Sequence, residues 1–178
     1  MKIPERYRQA LSKWYNIDQR HSNIQAEVKA WVESTPRGCL IFYGPPGTGK
    51  TTMALWAMQR FIDLYDAEAR YITALEIYQK LKTDYSKEDA LRLELAKIPL
   101  LIIDEIDLFG TSESAWLFIN QVISKHYDEL LPMILITNLD LPELEDKLGE
   151  RIYDRLMEWG KGILFSNKSY RERGKAND

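Results

Sequence analysis

Residues 41–52 read IFYGPPGTGKTT, a short apolar run that leads into a loop of glycine and proline and then into a lysine and two threonines. The segment 44–51 fits G-x-x-x-x-G-K-[ST], a pattern that holds phosphates when it joins a strand to a helix. Successive backbone N–H groups must point at the phosphate, and side chains at Gly47 and Gly49 would obstruct them. The stretch therefore predicts a strand, a phosphate-binding loop and a helix, in that order.

The residues of this loop have separate predicted tasks. Lys50 offers a mobile cation to the β- and γ-phosphates, and the Thr51 hydroxyl is placed to ligate Mg²⁺. The helix that follows turns its positive end towards the same anion. A glycine-rich loop can also simply turn the chain, but Lys-Thr at this spacing favours nucleotide binding. We expect ATP and Mg²⁺ as cofactors, with the nucleotide held by Gly44, Pro45, Pro46, Gly47, Thr48, Gly49, Lys50, Thr51 and Thr52.

Composition places the 178-residue chain among ordinary globular proteins, with 45% apolar residues. Lys and Arg number 24 against 27 Asp and Glu, so the net charge of −3 provides no general attraction to nucleic acid. Cys39, the single cysteine, begins an apolar run and is interpreted as a buried structural thiol. Neither a transmembrane stretch nor a signal-peptide pattern is found, which predicts a cytoplasmic protein without membrane contact.

Outward from the loop, strand-like runs alternate with helical ones. The apolar runs at 100–103 and 134–136 are continuous, as expected for parallel strands covered on both faces. We therefore predict an α/β fold with a parallel five-stranded sheet flanked by helices. Its strands are CLIFYG, RYITA, PLLIIDEID, MILITN and GILFS, and its helices fall within 51–64, 75–81, 90–97, 114–127 and 141–159.

A helical pattern also precedes the loop. Its apolar positions recur at helical spacing: Leu11, Trp14, Tyr15, Ile24, Val28, Trp31 and Val32. The break at STPRG separates this pattern from the first strand. We expect an N-terminal helical segment over 1–36 that leads into a core over 37–178.

Two carboxylates follow the apolar run LLII, at the carboxyl end of a predicted strand, where open parallel sheets bind their ligands. If this strand neighbours the strand of the phosphate loop, Asp104 would hold Mg²⁺ and Glu105 would deprotonate an attacking water. Strands often end in solvated acids, so the assignment depends on the phosphate loop. Asp107 is interpreted as a surface or capping residue.

A third strand, MILITN, stops at Thr137 and Asn138. The Asn138 carboxamide both donates and accepts hydrogen bonds, so it could contact the γ-phosphate and the attacking water together. Asparagine is also a common turn residue. The two other strand ends favour the functional interpretation.

GPPGTGKT, LLIIDEID and ITN, in this order, resemble the Walker A, Walker B and sensor 1 elements of AAA+ ATPases. The stretch LGERIYDRL, followed by a strand and SYRER, resembles the ATPase domain of DnaC-like helicase loaders and of the related IstB-like transposition ATPases. IPERYR at the start is similar to the segment before that domain. The resemblance runs from about Ile3 to Arg173.

The resemblance implies an AAA+ core and roles for three arginines. We expect little or no C-terminal helical lid, since only a few residues follow Arg171. Arg155 would be the arginine finger that reaches the γ-phosphate held by a neighbouring subunit, with Arg151 one turn earlier as its competitor. Arg171 matches sensor 2, which contacts nucleotide within its own subunit. From the residues alone, Arg151 and Arg155 would be surface cations on a helix.

Three functions fit these features. The resemblance favours an Mg²⁺-ATP-dependent ATPase that forms a homo-oligomer in its ATP state, assembles on single-stranded DNA and loads a replicative helicase. Alternatives are an ATP-switched transposition helper and a P-loop nucleotide kinase, which Glu105 and Asn138 disfavour. Only 38 residues precede Cys39, so we expect either a core-only relative or a fragment. Weak DNA binding would use the basic tail with Lys168, Arg171, Arg173 and Lys175.

Overall fold

The computed structural model describes residues 22–34, 36–83 and 88–166. The predictions for Leu11, Trp14, Tyr15 and the IPERYR segment, for the basic tail with Arg171, and for the absent helical lid lie outside the described residues. The helices are α1 (Ser22–Glu33), α2 (Lys50–Tyr65), α3 (Ala74–Thr83), α4 (Glu88–Leu95), α5 (Glu113–Asp128), α6 (Leu141–Leu148) and α7 (Glu150–Trp159). The strands are β1 (Cys39–Tyr43), β2 (Ala69–Thr73), β3 (Leu100–Asp104), β4 (Met133–Ile136) and β5 (Lys161–Leu164), and a 3₁₀ helix covers Ile106–Phe109.

The five strands form one parallel sheet in the order β2-β3-β4-β1-β5, which confirms the predicted α/β fold. Helices α1 and α2 cover one face, and the helices from α3 to α7 cover the other. Side chains alternate between the two faces along each strand. In β1, Leu40 and Phe42 join the core under α1 and α2, while Cys39 and Ile41 join the opposite core.

Cys39 is fully buried, as predicted for a structural thiol. Burial raises the pKa of its thiol far above the usual range, because the low-dielectric core disfavours the thiolate. The residue therefore behaves as a small apolar side chain in the core.

Strand order does not meet the condition set above for placing Asp104 beside the phosphate loop. Strands β1 and β3 are not neighbours, because β4 pairs with both and lies between them. The carboxyl end of β4, with Thr137 and Asn138 after it, therefore separates the phosphate loop from Asp104 along the sheet edge.

The helical run predicted over 141–159 is two helices. Asp140 caps α6 through a capping box with Glu143, and Gly149 ends it with its N–H donating to the Glu145 carbonyl. Gly149 has φ 80° and ψ 147°, a conformation open to glycine that stops the α-helical hydrogen-bond ladder. The chain changes direction there, and α7 begins at the next residue.

Helix α1 packs on α2 and belongs to the layer that covers the sheet. Val28 and Val32 are fully buried in the core shared with α2 and β1. The Tyr65 hydroxyl donates to the Val32 carbonyl at 2.8 Å, and Lys161 in β5 lies 2.6 Å from Glu27. Within the three described ranges, no helix is both long and apolar enough to cross a membrane.

If α1 is an integral part of this layer, Val32→Ala should lower the free energy of unfolding by about 2 kcal/mol, since it removes two buried methyl groups and leaves a cavity. Lys29→Ala, on the exposed side of the same helix, should change it by less than about 0.5 kcal/mol. Urea denaturation measures both. Equal effects of the two substitutions would mean that α1 contributes little to the core.

Candidate nucleotide-binding site

The phosphate loop connects β1 to α2, as its sequence pattern predicts. Gly44 has φ 117°, and a Cβ there would lie 2.6 Å from the Phe165 carbonyl oxygen, so the loop can pass β5 only with glycine at this position. Thr48 is buried and donates its hydroxyl to the Pro45 carbonyl at 2.9 Å. Pro45 and Pro46 are exposed at the outer side of the loop.

Helix α2 presents its first turn to the loop without a side-chain cap. Its N-cap, Gly49, has φ 99° and ψ 7°, and no acidic side chain lies in the first turn. The first N–H groups of a helix lack intrahelical acceptors and carry partial positive charge. Together with the half-buried Thr51 and Thr52, this helix end suits a phosphate group.

Lys50 is 6% exposed and is held at the centre of the site. Its ammonium donates to the Gly44 carbonyl at 2.6 Å, to the Pro45 carbonyl at 2.8 Å and to Asn138 Oδ1 at 3.0 Å. An ammonium has three N–H donors, and these contacts provide an acceptor for each. Lys50 therefore links the loop to the end of β4, and a bound phosphate would exchange with some of these acceptors.

Asp104 contacts the same helix end from β3. Thr51 donates its hydroxyl to Asp104 Oδ2 at 2.8 Å, although β4 lies between their strands. Asp104 Oδ1 is buried and has no hydrogen-bond partner within the described part of the chain. Burial raises the pKa of the Asp104 carboxyl, the hydrogen bonds from Tyr71 and Thr51 oppose the rise, and the charge of Glu105 adds to it.

The Thr51–Asp104 pair fits Mg²⁺. This ion binds through one or two protein oxygens and takes its other ligands from water and phosphates. A buried carboxylate oxygen without a donor is such a ligand. No group of three or more His, Cys, Asp or Glu residues among those described is arranged to hold a metal.

Glu105 is exposed directly after β3 and has φ 57°, an uncommon backbone conformation for a residue other than glycine. The 3₁₀ helix begins at the next residue. The regular strand alternation therefore ends at Asp104, and the two adjacent carboxylates lie in different environments, one buried and one in solvent.

Asp107 has a larger role than the sequence interpretation gave it. Its carboxylate accepts hydrogen bonds from the Asn138 backbone N–H at 3.0 Å, the Asn138 side-chain amide at 3.1 Å and the Thr137 hydroxyl at 3.3 Å. Since the Asn138 amide nitrogen is engaged in this way, its carbonyl oxygen is directed at Lys50. Asp107 is therefore a positioning residue for the end of β4.

Tyr71 is the second residue that sequence reasoning missed. Its hydroxyl donates to Asp104 Oδ2 at 2.8 Å from the neighbouring strand β2. RYITA carries no motif that would single out this tyrosine, and only the strand register brings it to the site. Asp107 belongs to the acidic stretch DEID, but its contact with Asn138 could not be predicted because the two residues are far apart in the sequence.

The two arginines of α7 lie elsewhere. Arg151 and Arg155 line a groove of about 710 Å³ with residues of α4 and α5, and none of its described lining residues belongs to the phosphate loop. The Arg155 guanidinium lies 5.3 Å from the centre of the Tyr127 ring, a cation–π distance. Lys50, Thr51, Asp104 and Asn138 therefore converge, and Arg155 does not join them within this chain.

Residues 11–178 match the family model described as IstB-like ATP binding protein. The chain belongs to the family of IstB-like ATP-binding proteins. This IstB-like protein is 32% identical over 159 residues to the replicative helicase loader DnaC of Escherichia coli (strain K12), a match that covers 85% of the chain and 64% of DnaC. It is also 30% identical over 164 residues to YdaV of the same strain, covering 88% of the chain and 64% of YdaV. It thus spans less than two thirds of these curated relatives.

Solved structures similar to this IstB-like protein have the same fold. A crystal structure of the DnaC helicase loader superimposes with a TM-score of 0.77 at 20% identity, covering 90% of this chain and 99% of that one. Domain III of the Thermotoga maritima replication initiation protein DnaA gives 0.78 at 14% identity, covering 99% and 73%. The AAA+ P-loop fold expected from the sequence is confirmed.

The role of Asp107 in orienting Asn138 can be tested by measuring ATP binding. Asp107→Ala should weaken ATP binding about fivefold, because the freed Asn138 amide no longer directs its oxygen at Lys50 and about 1 kcal/mol is lost. Leu108→Ala, at the exposed neighbouring position, should bind ATP as the wild type does. Isothermal titration calorimetry measures both. Wild-type affinity in Asp107→Ala would mean that Asn138 does not need this carboxylate when ATP is bound.

Proposed function

We propose that this IstB-like protein is an Mg²⁺-dependent ATPase. The observation that supports this most directly is the convergence of a buried lysine, a threonine–aspartate pair and an asparagine at one edge of the sheet, with an exposed glutamate beside them. Each of these side chains has the chemistry that one part of ATP hydrolysis requires.

Binding would be carried out by the loop and helix α2. The helix end and Lys50 would take the β- and γ-phosphates, and their positive charge lowers the cost of bringing the polyanion into the site. Thr51 and Asp104 would hold Mg²⁺, which would supply neutralisation of charge on the same phosphates.

Hydrolysis would use Glu105 and Asn138. A water oxygen attacks the γ-phosphorus, the bond to the bridging oxygen breaks, and ADP leaves with that oxygen. Glu105 accepts the proton from the water, which an exposed carboxylate next to the site can do. Asn138, oriented by Asp107, would align the water through a hydrogen bond.

A nucleotide kinase remains the alternative reaction. A kinase transfers the phosphoryl group to an acceptor and must exclude water, whereas a carboxylate in solvent beside the site favours hydrolysis. Following radiolabelled γ-phosphate distinguishes the two reactions. Transfer to a nucleotide acceptor in preference to water would replace the ATPase proposal with the kinase.

We infer that the ATPase serves replicative helicase loading in DNA replication, since the similarity to the DnaC loaders supports this role. The IstB-like transposition helper suggested by the sequence resemblance is the alternative. In either role, ATP would favour a homo-oligomer, and the basic tail would bind single-stranded DNA weakly. Capture of a replicative helicase by the ATP-bound protein, and not by the ADP-bound protein, supports the loader.

Arg155 is proposed to act on ATP in a neighbouring subunit. Its position in a groove away from Lys50 is consistent with action between subunits, and contact with the Tyr127 ring limits its conformations. The helices α4, α5 and α7 would then form the surface that faces the neighbour. Arg151, exposed one turn earlier, is the alternative finger.

The division of labour between the carboxylates can be measured. Glu105→Gln should bind ATP with Mg²⁺ normally and hydrolyse it at least about a hundredfold more slowly, because it has lost the proton acceptor. Asp104→Asn should also bind ATP less tightly in the presence of Mg²⁺. Glu129→Gln, an exposed glutamate after α5, serves as the control. Phosphate release at the wild-type rate in Glu105→Gln would refute its role as the base.

Mixing two inactive variants tests the shared site. Arg155→Ala should bind ATP but hydrolyse it slowly, since an arginine finger contributes about 10³–10⁵ in related phosphoryl transfer, and Lys50→Ala should not bind it. A mixture should regain activity, because some interfaces then join an intact loop to an intact finger. Activity should also rise with protein concentration.

The mixing experiment also has a result that would contradict the shared site. No recovery in a mixture shown by light scattering to assemble would return Arg155 to the role of a surface cation. The same mixture with Arg151→Ala is the matched comparison on the same helix. If activity is recovered only in the mixture of Arg151→Ala with Lys50→Ala, Arg151 is the arginine finger.

A further inference from the structure

Asp104 accepts a hydrogen bond from a second hydroxyl, which belongs to a residue outside the three motifs of the site. Tyr71 and Thr51 both donate to Asp104 Oδ2, each at 2.8 Å. Thr51 is expected beside this carboxylate because of the phosphate-loop pattern. Tyr71 comes from β2, an edge strand of the sheet that contributes no other side chain to the contacts described for Asp104.

The register of β2 and β3 explains how Tyr71 reaches the site. Tyr71 is paired with Ile102, and Thr73 is paired with Asp104. Paired residues in adjacent strands point to the same face, and residues two apart in one strand share that face. Tyr71 therefore lies on the α2 side of the sheet, level with the residue two positions before Asp104. This offset is about 6.6 Å along the strand, and the Tyr71 ring spans it.

The ring is held independently of the hydroxyl. Tyr71 packs against the core cluster under α2, and its other side borders a groove lined by Met58, Ile62 and Arg70. Phenylalanine at this position would keep the aromatic ring and would remove the donor to Asp104 Oδ2. The contribution of the hydroxyl can therefore be tested without removing the ring.

Two donors on one oxygen fix the rotation of the carboxylate about its Cβ–Cγ bond. Hydrogen bonds to a charged acceptor are stronger than those between neutral groups, and in a buried site the loss of one is not compensated by water. Thr51 would also ligate the metal, whereas Tyr71 would act on Asp104 through its hydrogen bond to Oδ2. A carboxylate with one oxygen held in this way offers the other at a defined position.

We propose that Tyr71 is a positioning residue for the metal: its hydroxyl orients Asp104 so that Asp104 and Thr51 together form the Mg²⁺ site used with ATP. This inference rests on the proposed Mg²⁺-ATP function. It adds to that function a role for β2, the strand next to the groove described above: Tyr71 on this strand partly determines the Mg²⁺ concentration that ATP binding requires.

The test uses the full chain and measures ATP binding, not turnover. A fluorescent ATP analogue is titrated into Tyr71→Phe in EDTA and over a range of Mg²⁺ concentrations. Affinity in EDTA should equal that of the wild type, and the Mg²⁺ concentration that gives half of the full enhancement should rise about tenfold. Tyr65→Phe is the matched control, because it removes a hydroxyl that donates at 2.8 Å to the Val32 carbonyl, a contact within the core layer.

Two results would overturn the inference. An unchanged Mg²⁺ requirement in Tyr71→Phe would show that the hydroxyl does not act on the metal site, and an equal loss of affinity with and without Mg²⁺ would show a general structural effect. In the background of Asp104→Asn, Tyr71→Phe should add nothing, since it acts through that carboxylate. A further rise in the Mg²⁺ requirement there would also overturn it.

The same titration separates this inference from the function on which it rests. If wild-type ATP binding is independent of Mg²⁺, the Mg²⁺-ATP proposal fails and the inference fails with it. If the wild type binds Mg²⁺-ATP without hydrolysing it, a raised Mg²⁺ requirement in Tyr71→Phe still supports the role of Tyr71.

Discussion

The position of β4 between β1 and β3 decides which side chains can meet at the site. Because the strands are parallel, their carboxyl ends lie along one edge, and each strand delivers its next residues there. β1 delivers the phosphate loop, β4 delivers Asn138 and β3 delivers Asp104. Lys50 of the loop contacts Asn138 after β4, and Thr51 contacts Asp104 of β3.

The site combines buried charges with a small number of fixed partners. Lys50 and Asp104 are both nearly inaccessible to solvent, and a buried charge is costly unless hydrogen bonds satisfy it. Lys50 obtains carbonyl and amide oxygens, whereas Asp104 obtains hydroxyls on one oxygen only. The partly satisfied carboxylate is therefore the group of the site that a cation would stabilise most.

Much of this could be predicted from the sequence, and the exceptions have a common physical cause. The phosphate loop, the strands and the acid pair follow from local patterns, because glycine positions and apolar runs determine backbone conformation within a few residues. Strand order does not follow from local patterns, so the separation of β1 from β3 was not foreseen. For the same reason, Asp107 and Tyr71 were missed, since each acts on a residue about 30 positions away.

The break at Gly149 was missed for a different reason. The apolar spacing over 141–159 continues through it, and a single glycine in a helical pattern is compatible with an uninterrupted helix. What stops the helix is the backbone conformation at that residue, which the periodicity of the side chains does not report.

Cys39 gives the molecule an internal reporter of its own opening. It is the only cysteine of the chain, it lies in the first position of β1, and its thiol is completely covered. A thiol reagent can reach it only when the core around β1 opens, because the thiol is covered and its raised pKa disfavours the reactive thiolate. The rate of labelling by such a reagent therefore measures how often the core opens around β1, the strand that leads into the phosphate loop.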